Sequence, residues 1–155
     1  MRQEAGAAYG RGMRTTFLPP IFLALAACGG SGGEPGAPQV AVEDAVVTLP
    51  AVPGRPGAAY FTLESEAPAA LVAVAARRAA RIELHEEGMR PAARFALAAG
   101  EPLVFAPGGR HAMLFGLDSA LRPGDRLALT FRFEGAPPVT AEAEVRAPGD
   151  VHAGH

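Results

Sequence analysis

Between Arg126 and Glu134 the chain reads RLALTFRFE, and between Val139 and Arg146 it reads VTAEAEVR. Apolar and polar residues alternate in both. Leu127, Leu129, Phe131 and Phe133 share one face of the first segment, and Val139, Ala141, Ala143 and Val145 share one face of the second. A period of two is the signature of a half-buried strand. The same pattern, in shorter runs, predicts strands at Val40–Thr48, Ala58–Leu63, Leu71–Ala75, Ala80–His85, Arg94–Ala98, Pro102–Ala106 and His111–Phe115. Turn residues separate them, most clearly Pro53-Gly54, Pro56-Gly57, Pro107-Gly108-Gly109 and Pro123-Gly124-Asp125. The Ala-rich stretch 67–80 has helical propensity, but the Val72/Val74 alternation and the close turns favour a strand there. Many short strands at this spacing predict an all-β domain, a sandwich or Greek-key barrel.

The N-terminal pattern is different. Met13 to Cys28 reads MRTTFLPPIFLALAAC, with a basic start, an apolar run and then small residues. That is the layout of a secretory signal peptide. The run is too short, and too interrupted by Pro19-Pro20, for a spanning helix of about 20 apolar residues. Leu25-Ala26-Ala27-Cys28 resembles the bacterial lipobox, which implies lipidation of Cys28 and a lipid anchor in a membrane. Cys28 is the only cysteine, so it has no disulfide partner within the chain. Gly29 after it favours the outer membrane over the inner, by analogy with known lipoproteins. The expected organisation is a signal peptide over 1–27, a lipidated Cys and flexible linker over 28–39, a single β domain over 40–146, and a disordered tail over 147–155.

Charge narrows the partners. All 14 basic residues are arginine, the acidic residues number 16, and the formal net charge is −2. No basic stripe is present, which disfavours nucleic acid as a partner. Nor does the chain contain a nucleotide-binding glycine loop, a nucleophile elbow or an acid–base pair, so no enzymatic activity is expected.

Candidate chemistry lies in two short segments, HEEGM (85–89) and RHAML (110–114). Each holds one His and one Met. His85 and Met89 flank Glu86-Glu87-Gly88. A three-residue hairpin loop ending in a left-handed Gly would set them opposite each other on neighbouring strands. His111 and Met113 are two apart, so on a strand they project from one face. If the segments meet, the result is a cluster of two imidazoles and two thioethers. Thioethers are soft, neutral donors that favour Cu(I), whereas structural zinc sites use thiolates that this domain lacks. The absence of a thiolate also argues against a blue-copper electron carrier. Read singly, Met113 beside Leu114 and Phe115 is ordinary core packing, and a His near a turn is ordinary surface. His152 and His155 in the tail are candidate auxiliary ligands for Cu(II), which prefers nitrogen and oxygen donors.

These segments resemble the PCuAC-type periplasmic copper chaperones. In that family a His precedes a Met, and 21 residues later comes His-x-Met. Here 21 residues separate Met89 from His111-Ala112-Met113. Met89-Arg90-Pro91, Pro107-Gly108-Gly109-Arg110-His111, Gly116-Leu117 and Leu121-Arg122-Pro123-Gly124-Asp125 carry the likeness further, over residues 40–146. The resemblance implies a cupredoxin-like fold, a periplasmic location, and a monomeric carrier that binds Cu(I) through His85, Met89, His111 and Met113. It implies delivery to a recipient such as a cytochrome c oxidase subunit or an assembly factor. One departure stands out: three residues separate His85 from Met89, fewer than the family's usual arm. The alternatives are a metal-free β-sandwich lipoprotein acting as a binding or assembly module, and a copper-resistance or storage protein using the same residues.

Overall fold

A computed structural model describes residues 38–150. The signal segment, Cys28, most of the linker, His152 and His155 lie outside the described residues. Nine strands follow in order: β1 (Val40–Thr48), β2 (Gly57–Ser65), β3 (Ala69–Ala75), β4 (Arg81–His85), β5 (Phe95–Leu97), β6 (Leu103–Phe105), β7 (His111–Phe115), β8 (Arg126–Glu134) and β9 (Val139–Arg146). They form one curled sheet in the order β4-β7-β2-β1-β9-β8-β3-β5, with β6 also pairing β2. The fold is all-β and cupredoxin-like, as expected. Among the described residues, no helix is long and apolar enough to cross a membrane.

The alternation seen in the sequence becomes the division between inside and outside. Leu127, Leu129 and Phe131 are buried on β8, and Ala143 and Val145 on β9. β7 alternates likewise, with Ala112 and Leu114 in the core and His111 and Met113 only partly covered. Phe61 of β2 joins the two halves of the curled sheet. It stacks on Phe105 of β6 at 4.4 Å and meets Phe131 of β8 edge-on at 4.8 Å. Offset and edge-to-face contacts of this kind stabilise beyond the area they bury.

β3 forms where propensity alone allowed a helix, but its alternation is broken. The pairing with β8 shifts between Leu71 and Ala73, so Leu71 and Val74 both reach the core. An extra residue in one strand changes the phase of the side chains beyond it. β1 has a similar shift between Glu43 and Val46, beside Asp44 at φ 50°. Aspartate is among the few residues that enter the left-handed region readily.

β7 ends at Gly116, whose φ is +61° and whose missing Cβ would lie 2.7 Å from Ala80 Cβ. Gly116→Ala combines an unfavourable backbone with a clash and is expected to lose about 2 kcal/mol in urea unfolding. Wild-type stability in that variant would show that Ala80 moves aside freely.

Candidate metal site

β4 is an edge strand, and β7 is its sole hydrogen-bonded neighbour in the sheet order. Their register sets Arg81 opposite Phe115, Glu83 opposite Met113 and His85 opposite His111. These six residues share one face, because Leu84 and Ala112 between them point into the core. The two imidazoles lie nearly parallel, 5.4 Å between ring centres and 23° between planes.

Hydrogen bonds orient each ring. His85 Nδ1 is 3.1 Å from the Met89 carbonyl, and His111 Nδ1 is 2.9 Å from the Gly109 carbonyl. A carbonyl only accepts, so both Nδ1 atoms carry the proton and both Nε2 atoms keep a lone pair; the tautomer is assigned from these partners. Metal-binding histidines are commonly oriented in this way. His85 is 6% exposed, and its Nε2 is buried without a hydrogen-bond partner. The nearest carboxylate oxygen, Glu83 Oε2, is 3.5 Å away, too far for a well-formed hydrogen bond.

The loop after β4 differs from the three-residue hairpin anticipated. His85 bridges to Pro91 rather than facing Met89, and Glu86 N–H donates to the Arg90 carbonyl at 2.8 Å. Pro91 is the cause. The residue before a proline is held extended, and Arg90 is extended, with φ −83° and ψ 121°. The reversal therefore falls on Gly88 and Met89, both left-handed, at φ 75° and 63°. Met89 thus sits in the loop, 57% exposed. Left-handed φ costs a non-glycine residue about 1–2 kcal/mol, a strain of the kind that gathers at functional sites.

Met89, His111 and Met113 line one open cleft of about 610 Å³, with Thr48, Tyr60 and Pro148 on its other walls. His85 does not line the cleft but stacks on His111. All four residues read from the sequence therefore occupy one end of the domain. Burial raises the Tyr60 phenol above its usual range. Among the described residues, no group of three His, Cys, Asp or Glu side chains is placed to hold a metal. Sharing the cleft with His111 are instead the thioethers of Met89 and Met113. Glu83 and Arg81 were not anticipated beside this site, though their spacing of two and four from His85 on a strand already puts them on its face.

A model of the LpqE-like family, named for a lipoprotein, matches residues 40–145. No curated protein matches the chain. Among solved structures, the copper-bound PCuAC domain of PmoF2 is 22% identical, with a TM-score of 0.63 over 70% of this chain and 93% of that one. The apo PCuAC domain of PmoF1 is 25% identical, with a TM-score of 0.63 over 70% and 94%. The Cu(I) form of DR1885 from Deinococcus radiodurans is 25% identical, with a TM-score of 0.55 over 78% and 85%. The likeness to PCuAC domains read in the sequence extends to the fold.

Proposed function

The chain belongs to the LpqE-like family, and on that premise we propose that it is an extracytoplasmic copper carrier holding one Cu(I) between His85, Met89, His111 and Met113. The observation that carries this reading is the pair of stacked imidazoles. Each is tied through Nδ1 to a carbonyl, which leaves Nε2 free, and two thioethers lie at the same end. Solved relatives of this fold include copper-bound forms.

The donor set suits transfer rather than permanent retention. All four donors are neutral, and thioethers bind without having to lose a proton. Met89, on an exposed loop, is the first ligand to leave when a recipient offers its own donor, while the buried His85 is the last. The recipient implied by the PCuAC resemblance is the copper centre of cytochrome c oxidase or one of its assembly factors. Lipidation at Cys28 would anchor the carrier to a membrane. Pro148 and Gly149 line the same cleft, and His152 and His155, which lie outside the described residues, are proposed as auxiliary Cu(II) donors.

The test is an anaerobic Cu(I) titration against a chromogenic chelator, using a soluble form that starts at Glu34. Wild type is expected to take one equivalent. Met89→Gly with Met113→Leu should take none in competition. Met113→Leu nearly conserves volume, and Met89→Gly suits the left-handed backbone, so the double variant should stay folded. Failure of wild type to compete would replace the copper reading with that of a metal-free lipoprotein.

A further inference from the structure

β4 carries a second row of side chains that the four-ligand reading does not use. Arg81 Nε donates to Glu83 Oε1 at 2.8 Å, and Glu83 Oε2 faces His85 Nε2 at 3.5 Å. Arg81 is held in turn over the Phe115 ring at 4.0 Å. Glu83 is also directly opposite Met113. It therefore borders one imidazole and one thioether of the site, and its charge is held in place from behind.

Resting on the copper reading above, we propose that Glu83 is the countercharge of the metal site: an outer-sphere positioning residue, fixed by Arg81, that balances the charge of the bound ion. Four neutral ligands leave Cu(I) with its full positive charge, partly withdrawn from water beside a buried imidazole. An uncompensated charge in such surroundings is costly. A carboxylate a few ångströms away favours the cation by direct Coulomb attraction. The loop carboxylate Glu86 is paired to Arg90 at 3.1 Å, whereas it is Glu83 whose Oε2 lies 3.5 Å from His85 Nε2. Glu83 has one oxygen bound by Arg81 and the other turned towards His85. Arg81 opposes the ion with its own charge while holding the carboxylate in place, so the two side chains act on copper with opposite signs.

The test compares Glu83→Gln and Arg81→Gln with wild type in the same Cu(I) competition assay. Copper X-ray absorption reports the ligand shell, and thermal unfolding of the metal-free forms reports the fold. Glu83→Gln is expected to weaken Cu(I) binding about tenfold, at the lower end for outer-sphere partners, because the side chain is partly exposed and Arg81 offsets part of its charge. Its ligand shell should keep two nitrogens and two sulfurs. Arg81→Gln should tighten binding by roughly threefold. A merely structural role would weaken binding in both variants together with a matching loss of thermal stability in the metal-free forms, and that result overturns the proposal. So does unchanged affinity in Glu83→Gln, or loss of an oxygen ligand from its absorption spectrum. Wild type that binds no copper at all would instead refute the carrier reading on which this rests.

Discussion

Replacing His85 by alanine is expected to weaken Cu(I) binding by at least about a hundredfold, more than any other single ligand change. Loss of an outer-sphere partner alone costs ten- to a hundredfold in metal affinity, and His85 is the proposed ligand itself. It is also the most preorganised of the four donors. Its ring is buried, stacked on His111 and fixed by the Met89 carbonyl, so little freedom remains to be lost when an ion arrives. Met89 is the opposite case. Its exposed side chain gives up rotamer freedom on binding, a cost of up to about 2 kcal/mol for a long flexible residue. Met89→Gly is therefore expected to weaken binding only about tenfold, with an unfolding midpoint close to wild type. Competition titrations of the two single variants measure the ranking. Equal losses would mean that the buried imidazole has no special place at the site.

Phe61→Ala should be the most damaging single change to the fold. Phe61 is 2% exposed and touches aromatic rings from two other strands. Truncating a buried phenylalanine typically costs about 3–5 kcal/mol through lost burial and the cavity left behind. The whole domain is expected to be stable by only about 5–15 kcal/mol, so the variant should sit at or near the edge of unfolding. Urea denaturation followed by far-ultraviolet circular dichroism measures this. A loss below about 1 kcal/mol would show that Phe105 and Phe131 collapse into the space. Phe61 lies on β2, which pairs with β7 at Ala58 and Met113. Its loss should therefore also loosen the strand that carries His111.

Period-two alternation located all nine strands because a strand half-buried in a small domain must alternate. β7, β8 and β9 are the clearest, since each keeps an unbroken phase. β3 and β1 were harder to place by face, because a bulge in each shifts the phase and no residue type announces it. The pairing of His85 with His111 was not legible at all. It depends on β4 lying beside β7, strands well apart in sequence, and local patterns do not specify such neighbours. The loop at 86–90 departs from the expected hairpin for a different reason. Gly88 suggested a short hairpin, but the restriction that Pro91 places on Arg90 outweighs it. Glu83 could have been found from its spacing to His85. Its type does not mark it, because a charged residue on a strand face is usually just solvated.

The parallel pairing of β1 with β9 gives the domain two poles. Thr48 and Arg146, the ends of the two strands, are paired, and Thr48 lines the cleft with Met89, His111 and Met113. Val40, where β1 begins, is paired with Ser65 eight residues away along the strand, roughly 25 Å at the usual rise. The chain therefore enters β1 at the pole opposite the histidines and methionines. A chain tethered to a bilayer through Cys28 would hold its cargo face outward, towards proteins in the surrounding space or on a facing membrane. In a carrier so anchored, shortening the stretch between Cys28 and Val40 should restrict which recipients are reached while leaving the affinity for copper unchanged.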